Sequence, residues 1–106
     1  MDPQVNPLLW NAIQEKRLIR VRYKGRDRVV EPHDYGVHKG LIKLLGYQVA
    51  GSSSHKLPSW RWMEQDLMSD IEMLNRTFAG GRPTESGKHH NWDKLFIRVK
   101  PADTPE

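Results

Sequence analysis

The stretch Ile19-Arg20-Val21-Arg22-Tyr23-Lys24-Gly25-Arg26-Asp27-Arg28-Val29-Val30-Glu31-Pro32 carries the clearest structural signal in the chain. From Ile19 to Lys24, apolar and basic residues alternate. Successive side chains of a strand point to opposite faces, so Ile19, Val21 and Tyr23 turn to a core while Arg20, Arg22 and Lys24 turn outward. Gly25-Arg26-Asp27 reads as a hairpin turn, and Arg28 to Glu31 as the returning strand. Pro32 has no N–H to give a ladder, so it marks a strand end or an edge.

Upstream, Asn6-Pro7 is a helix start, because Asn caps orphan amides and Pro suits the first helical position. Leu8, Leu9, Ala12 and Ile13 then recur at helical spacing, predicting a helix over 6–17. Downstream, Tyr35 to Val37 reads as a short strand turning at His38-Lys39-Gly40. Leu41 to Val49 is apolar on both faces except for Lys43 and Gln48, the pattern of a covered central strand. Further strands are expected over Trp60 to Met63, over Met68 to Leu74 (ending near Phe78), and through Leu95, Ile97 and Val99. Residues 51–56 are a polar loop, 79–93 a mobile loop and 101–106 a tail. One helix and about five strands predict a single mainly β domain, a small barrel or a strongly bent sheet, with its barrel residues over 18–78 and 94–100.

The chain has 106 residues, which fits one domain, and no cysteine, which excludes disulfides, a thiol nucleophile and thiolate metal sites. Its N-terminus lacks the basic and apolar regions of a secretory signal, and no apolar run approaches the ~20 residues that span a bilayer. A cytoplasmic protein without membrane contact is the expectation. Net charge is +4, but Lys16, Arg17, Arg20, Arg22, Lys24, Arg26 and Arg28 face a single acid, Asp27, within one short segment. Local clustering makes the field that attracts phosphates; the competing reading is a solvated strand face.

Residues 8–78, and more weakly the chain on to Lys100, resemble the WYL domain family. The resemblance rests on the helix ending in Ala12-Ile13, the strand ending at Tyr23, and Arg28-Val29-Val30-Glu31-Pro32, similar to an Arg-x-Val-x-Pro element. Leu41 to Tyr47 is similar to the naming strand. Trp60-Arg61-Trp62-Met63 with Asp66 and Met68 is similar to an Arg-x-Phe element. Ile42-Lys43-Leu44 stands where the naming triplet would, and Met63 and Glu64 replace the usual Phe and basic residue. The resemblance implies an Sm-like five-stranded barrel with one N-terminal helix, acting as a regulatory module that senses a ligand or binds nucleic acid. Such modules usually follow a DNA-binding domain, for which 106 residues leave no room. Output through a partner regulator or a homo-oligomer is expected.

The resemblance implies Arg28 and Arg61 as anion contacts, and the chemistry suits them, since a guanidinium presents a planar fork matching phosphate oxygens. The alternative is structural ion pairing with Glu31, Glu64 or Asp66. Tyr23, Tyr47 and His33 are expected neighbours, and Tyr rings can stack on bases. Arg20, Arg22, Lys24, Arg26 and Lys43 are expected to follow a nucleic-acid backbone. Trp60 and Trp62 share a strand face, and at least one is expected in the core. The five histidines match no metal-ligand spacing, Gly80-Gly81 lacks the Lys-Ser/Thr of a phosphate loop, and no acid–base pair stands out. The expectation is a binder without a cofactor, its ligand single-stranded nucleic acid or a nucleotide-like anion. A protein-interaction or oligomerisation module is the other reading.

Overall fold

The computed structural model describes residues 4–82 and 92–102. Helix α1 (Pro7–Gln14) is followed by strands β1 (Arg17–Tyr23), β2 (Arg26–His38), β3 (Leu41–Gly51), β4 (Ser59–Glu64), β5 (Met68–Thr77) and β6 (Lys94–Arg98). A one-turn 3-10 helix, Gln65–Leu67, joins β4 to β5. The protein is mainly β, a six-stranded antiparallel sheet in the order β4-β3-β2-β1-β5, with β6 also paired to β2. Six strands form where about five were expected, and the sheet is not closed into a barrel. No described helix is long and apolar enough to cross a membrane.

Helix α1 begins as its sequence predicts. The Asn6 side chain accepts from the Leu8 N–H at 2.9 Å, and Pro7 needs no donor. It ends at Gln14, short of Arg17, because Lys16 turns left-handed at φ 55° and breaks the helical ladder. Leu9, Ala12 and Ile13 are fully covered by the sheet. Burying Leu9 or Ile13 contributes about 1.5–3 kcal/mol each. Ile19 and Val21 of β1, Val30 of β2, Leu44 of β3 and Met63 of β4 complete this core.

The first hairpin turns on Lys24-Gly25, with Arg26 already in β2, and the second on Lys39-Gly40. Both residues of each pair have positive φ: 52° and 78° in the first, 51° and 78° in the second. That is the two-residue turn whose twist matches the flanking strands.

The predicted break at Pro32 does not occur. β2 runs for 13 residues through it. β3 follows one edge from Arg28↔Gly51 to His38↔Leu41. On the other edge β1 pairs as far as Val30, and β6 begins at Asp34. Pro32 sits in the gap between these two neighbours, where its missing N–H costs no ladder bond. The β3 register slips between Pro32 and Asp34, leaving His33 in a bulge. Of the loop and tail expected at 79–93 and 101–106, residues 83–91 and 103–106 lie outside the described residues. The described parts are anchored rather than loose: Gly81 bridges Pro101, and the Asp93 N–H donates to the Val37 carbonyl at 2.8 Å.

β6 lies directly on Gly36. A Cβ there would meet the Lys94 carbonyl oxygen and come within 2.9 Å of the Leu95 Cα. Gly36→Ala is therefore expected to cost about 1–3 kcal/mol through backbone overpacking, read as a lower urea midpoint. An unchanged midpoint would show that β6 does not seat there.

Candidate anion-binding site

The two faces of the sheet hold different chemistry. On the inner face, the register sets Val21 opposite Arg28, Val30 opposite Gln48, Gln48 opposite Ser59 and Gly46 opposite Arg61. Arg28, Gln48, Ser59 and Arg61 thus continue the core face towards one end of the sheet, beside the Lys24-Gly25 turn and the loop after Gly51. Polar and cationic groups replace aliphatic ones there, forming a mouth.

Arg28 is only 9% exposed. Its Nη1 donates to Gln48 Oε1 at 2.9 Å, and its guanidinium lies 5.7 Å from the centre of the Tyr23 ring. Gln48, fully buried, is locked by donating to the carbonyls of Ala50 at 3.1 Å and Ser52 at 3.0 Å. Arg61 donates from Nη2 to Ser53 Oγ at 2.6 Å. The ion pairs to Glu31, Glu64 or Asp66 are absent among the described residues. Glu31 belongs to Arg82, and neither Arg28 nor Arg61 has a carboxylate among the described residues. Burial pushes the Arg28 pKa down, and the nearby cations Arg61 and Arg26 push the same way. Three of the four buried polar atoms without a partner among the described residues are Arg28 Nε, Arg61 Nε and Ser59 Oγ. An unmade hydrogen bond at a buried donor costs about 1–3 kcal/mol, so these groups call for an acceptor.

Tyr23 belongs to this mouth. Its hydroxyl accepts from the Glu64 N–H at 3.0 Å, linking β1 to β4 across the curl of the sheet. Tyr47 and His33 do not. They lie on the outer face, where the register sets Glu31, Tyr47 and Trp60 in one row. Glu31 takes a two-pronged ion pair from Arg82, at 2.7 and 3.1 Å, and the Arg82 guanidinium sits 4.7 Å above the Tyr47 ring. The hydrogen bond with Glu31 raises the Arg82 pKa. The His33 ring meets Trp60 edge-on at 4.8 Å and stacks on Phe78 at 5.5 Å. The Arg82 backbone N–H donates to His33 Nε2 at 3.2 Å, so Nδ1 carries the proton and donates to the Glu31 carbonyl at 2.8 Å.

The remaining predicted cations divide. Arg26 lies two residues from Arg28 on the mouth side. Lys24 is at the adjoining turn, its Nζ 5.5 Å from the Tyr23 ring centre. Arg20 and Arg22 face outward, Arg20 within 3.6 Å of Glu72. Lys43 also lies on the outer face, 5.7 Å from the Trp62 ring centre and 3.4 Å from His38 Nδ1. Trp60 and Trp62 are both half-buried on that face and outside the core cluster, because Arg61 and Met63 hold the inner positions of β4. Sequence reasoning missed Ser53 and Ser59 as members of the site. Gln48 left a trace as a polar break in an apolar run.

A cleft of about 650 Å³ opens beside Arg61, bounded by Tyr47, Lys56, Ser59, Trp60 and Arg82. It joins the edge of the mouth to an aromatic wall carrying further positive charge.

Burial lowers the His33 pKa below the ordinary histidine range, outweighing the opposing pull of the Glu31 carbonyl, Glu31 and Asp34, while Arg82 lowers it further. The unfolded chain then binds this proton at a higher pH than the folded one. Stability is full above the ordinary range near ~6.5 and falls as pH drops below it. Thermal melts from about pH 7.5 to 5 are expected to show this loss, and His33→Gln to flatten it. An equal loss in the variant would place the titration elsewhere.

No family model, curated protein or solved structure matches this chain.

Proposed function

We propose that this chain is a binding module whose arginine mouth takes a phosphate-bearing anion, either single-stranded nucleic acid or a nucleotide-like ligand. One observation carries the reading: Arg28 is 9% exposed with other cations nearby, and among the described residues it has no carboxylate and an unsatisfied Nε–H. A recessed guanidinium with an unmatched donor is stabilised by an anionic acceptor. A phosphate supplies both the charge and the acceptors that are missing. Arginines stay protonated near neutral pH, so they bind and orient but do not shuttle protons. The mouth suits recognition rather than acid–base catalysis.

A WYL-like, Sm-like module is the fold reading in keeping with this proposal. An N-terminal helix precedes a curled meander, β5 returns to β1, and a single turn ties β4 to β5. Together these features support that reading, with the sheet left open between β4 and β5. A ligand-sensing role with output through a partner regulator in the cytoplasm belongs to the same proposal. The competing reading, a protein-interaction module, draws on the half-buried Trp60 and Trp62 beside the free edge of β4. Salt separates the two, since nucleic-acid binding weakens as counterions are retained and apolar docking does not.

In fluorescence anisotropy with labelled single-stranded DNA and RNA, affinity is expected to fall with salt at a log–log slope near ~0.7 per phosphate contact. Arg61→Ala should weaken binding by about 1–3 kcal/mol and make that slope shallower. Arg82 is unsuitable as a neutral control, since it pairs with Glu31 and lines the cleft. Arg76, exposed on β5, serves instead, and Arg76→Ala should change little. Absence of binding at low salt, or equal effects of the two substitutions, would remove the proposal in favour of the protein-interaction reading.

A further inference from the structure

We infer that the mouth receives a terminal phosphate monoester, the phosphorylated end of a strand or nucleotide, rather than a phosphodiester within a chain. This deepens the function proposed above and rests on it.

Charge is the first argument. Arg28 and Arg61 lie on the same inner face, with Arg26 two residues from Arg28, all near enough for the other two to lower the Arg28 pKa. No ion pair to a carboxylate holds any of them among the described residues. An internal phosphodiester brings one negative charge. A monoester brings nearly two at neutral pH, since its second pKa is about 6. The dianion offsets more of the mutual repulsion of the three cations.

Donor count is the second. Arg28 Nε–H, Arg61 Nε–H and the Ser59 hydroxyl are all buried and unpartnered among the described residues. They lie on the inner face around Gln48, which orients Arg28. Three donors match the three free oxygens of a monoester. A diester has two free oxygens, and its two ester bonds must both leave the site.

Access is the third. The donors are recessed, with Arg28 9% exposed. A chain end enters such a recess oxygens first, whereas an internal phosphate would drag both flanking nucleotides in with it. The polar loop at 52–58 lies over this place, and Ser53 Oγ now fills the acceptor position on Arg61 at 2.6 Å. Ser52 stays tied to Gln48 and Asp27, but Ser54, His55 and Lys56 beyond it are exposed, so the tip carrying Ser53 can shift without uncovering core. The attached nucleoside then has the cleft of about 650 Å³ beside Arg61, with Tyr47 and Trp60 as its wall.

The test uses labelled oligothymidylates of about ten nucleotides, identical except for a 5′-phosphate, a 3′-phosphate or hydroxyl at both ends. Anisotropy titrations at moderate salt near neutral pH are expected to show one phosphorylated probe binding at least about tenfold tighter than the hydroxyl-ended one. The advantage should shrink below about pH 6 as the monoester takes up its second proton. Arg26→Ala, an exposed change that spares the core, should narrow it as well. Equal affinity for all three probes would overturn the inference and leave a general anion site standing. Failure of every probe to bind would overturn the proposed function with it. An undiminished end preference in Arg26→Ala would overturn the three-cation account.

Discussion

β2 has to satisfy two different neighbours along one edge while keeping a third along the other. β1 serves its first half and β6 its second. A strand of 13 residues, long for a small domain, must bend to do this. The bulge at His33 provides the bend, and the gap at Pro32 makes a donorless residue acceptable there. The two faces of the sheet follow from this arrangement. Before the gap, Arg28 and Val30 point inward and Glu31 outward. After it, Asp34 is tied to Arg98 of β6 at 3.1 Å and Tyr35 is fully buried. Arg28 cannot reach solvent freely because it is held on the inner face by the same register that buries Val30.

That placement explains why the mouth is poor in acids. On the inner face, the neighbours of Arg28 and Arg61 come from strand positions otherwise used for core packing. Carboxylates are rare there because each would have to be desolvated. Glu31 stands one residue from Val30, hence on the opposite face, where Arg82 occupies it fully. The alternation of a strand thus keeps the Glu31 carboxylate on the face opposite Arg28 and Arg61.

Much of this is legible in the sequence. The alternation at Ile19 to Lys24 placed β1, with its outward arginines and inward tyrosine, and the apolar run from Leu41 placed β3 between two neighbours, although Leu41 itself is exposed and only the middle of the strand is covered. Period-two patterns are local, and the pleat reads them directly. The passage through Pro32 was not legible, because proline breaks a ladder only where a neighbour needs its N–H, and neighbours are set by tertiary pairing. The site was visible in part for the same reason. Arg28 and Arg61 carry their side-chain chemistry in the sequence, but their convergence depends on β2 and β4 both flanking β3. Tyr47 joins them in the sequence reading through its stacking chemistry and His33 because it follows the Arg-x-Val-x-Pro element, but the parity of β3 and the bulge in β2 send both to the other face. Ser53 and Ser59 gave no signal, since an isolated serine becomes informative only when its surroundings leave its hydroxyl unmatched.

The two hairpin tips differ in what they can surrender. Each places a lysine at positive φ, a conformation that asparagine adopts with less steric cost. Lys24 stands at the mouth, its ammonium beside the Tyr23 ring, so its unfavourable backbone geometry is bound up with the positive field around the ligand. Lys39 tips the β2–β3 hairpin, whose ladder places it ten pairs away from Arg28↔Gly51. An engineer seeking a hardier scaffold can therefore relax the backbone at Lys39 with asparagine, for up to about 1 kcal/mol, and leave recognition untouched. The same exchange at Lys24 would trade ligand attraction for rigidity.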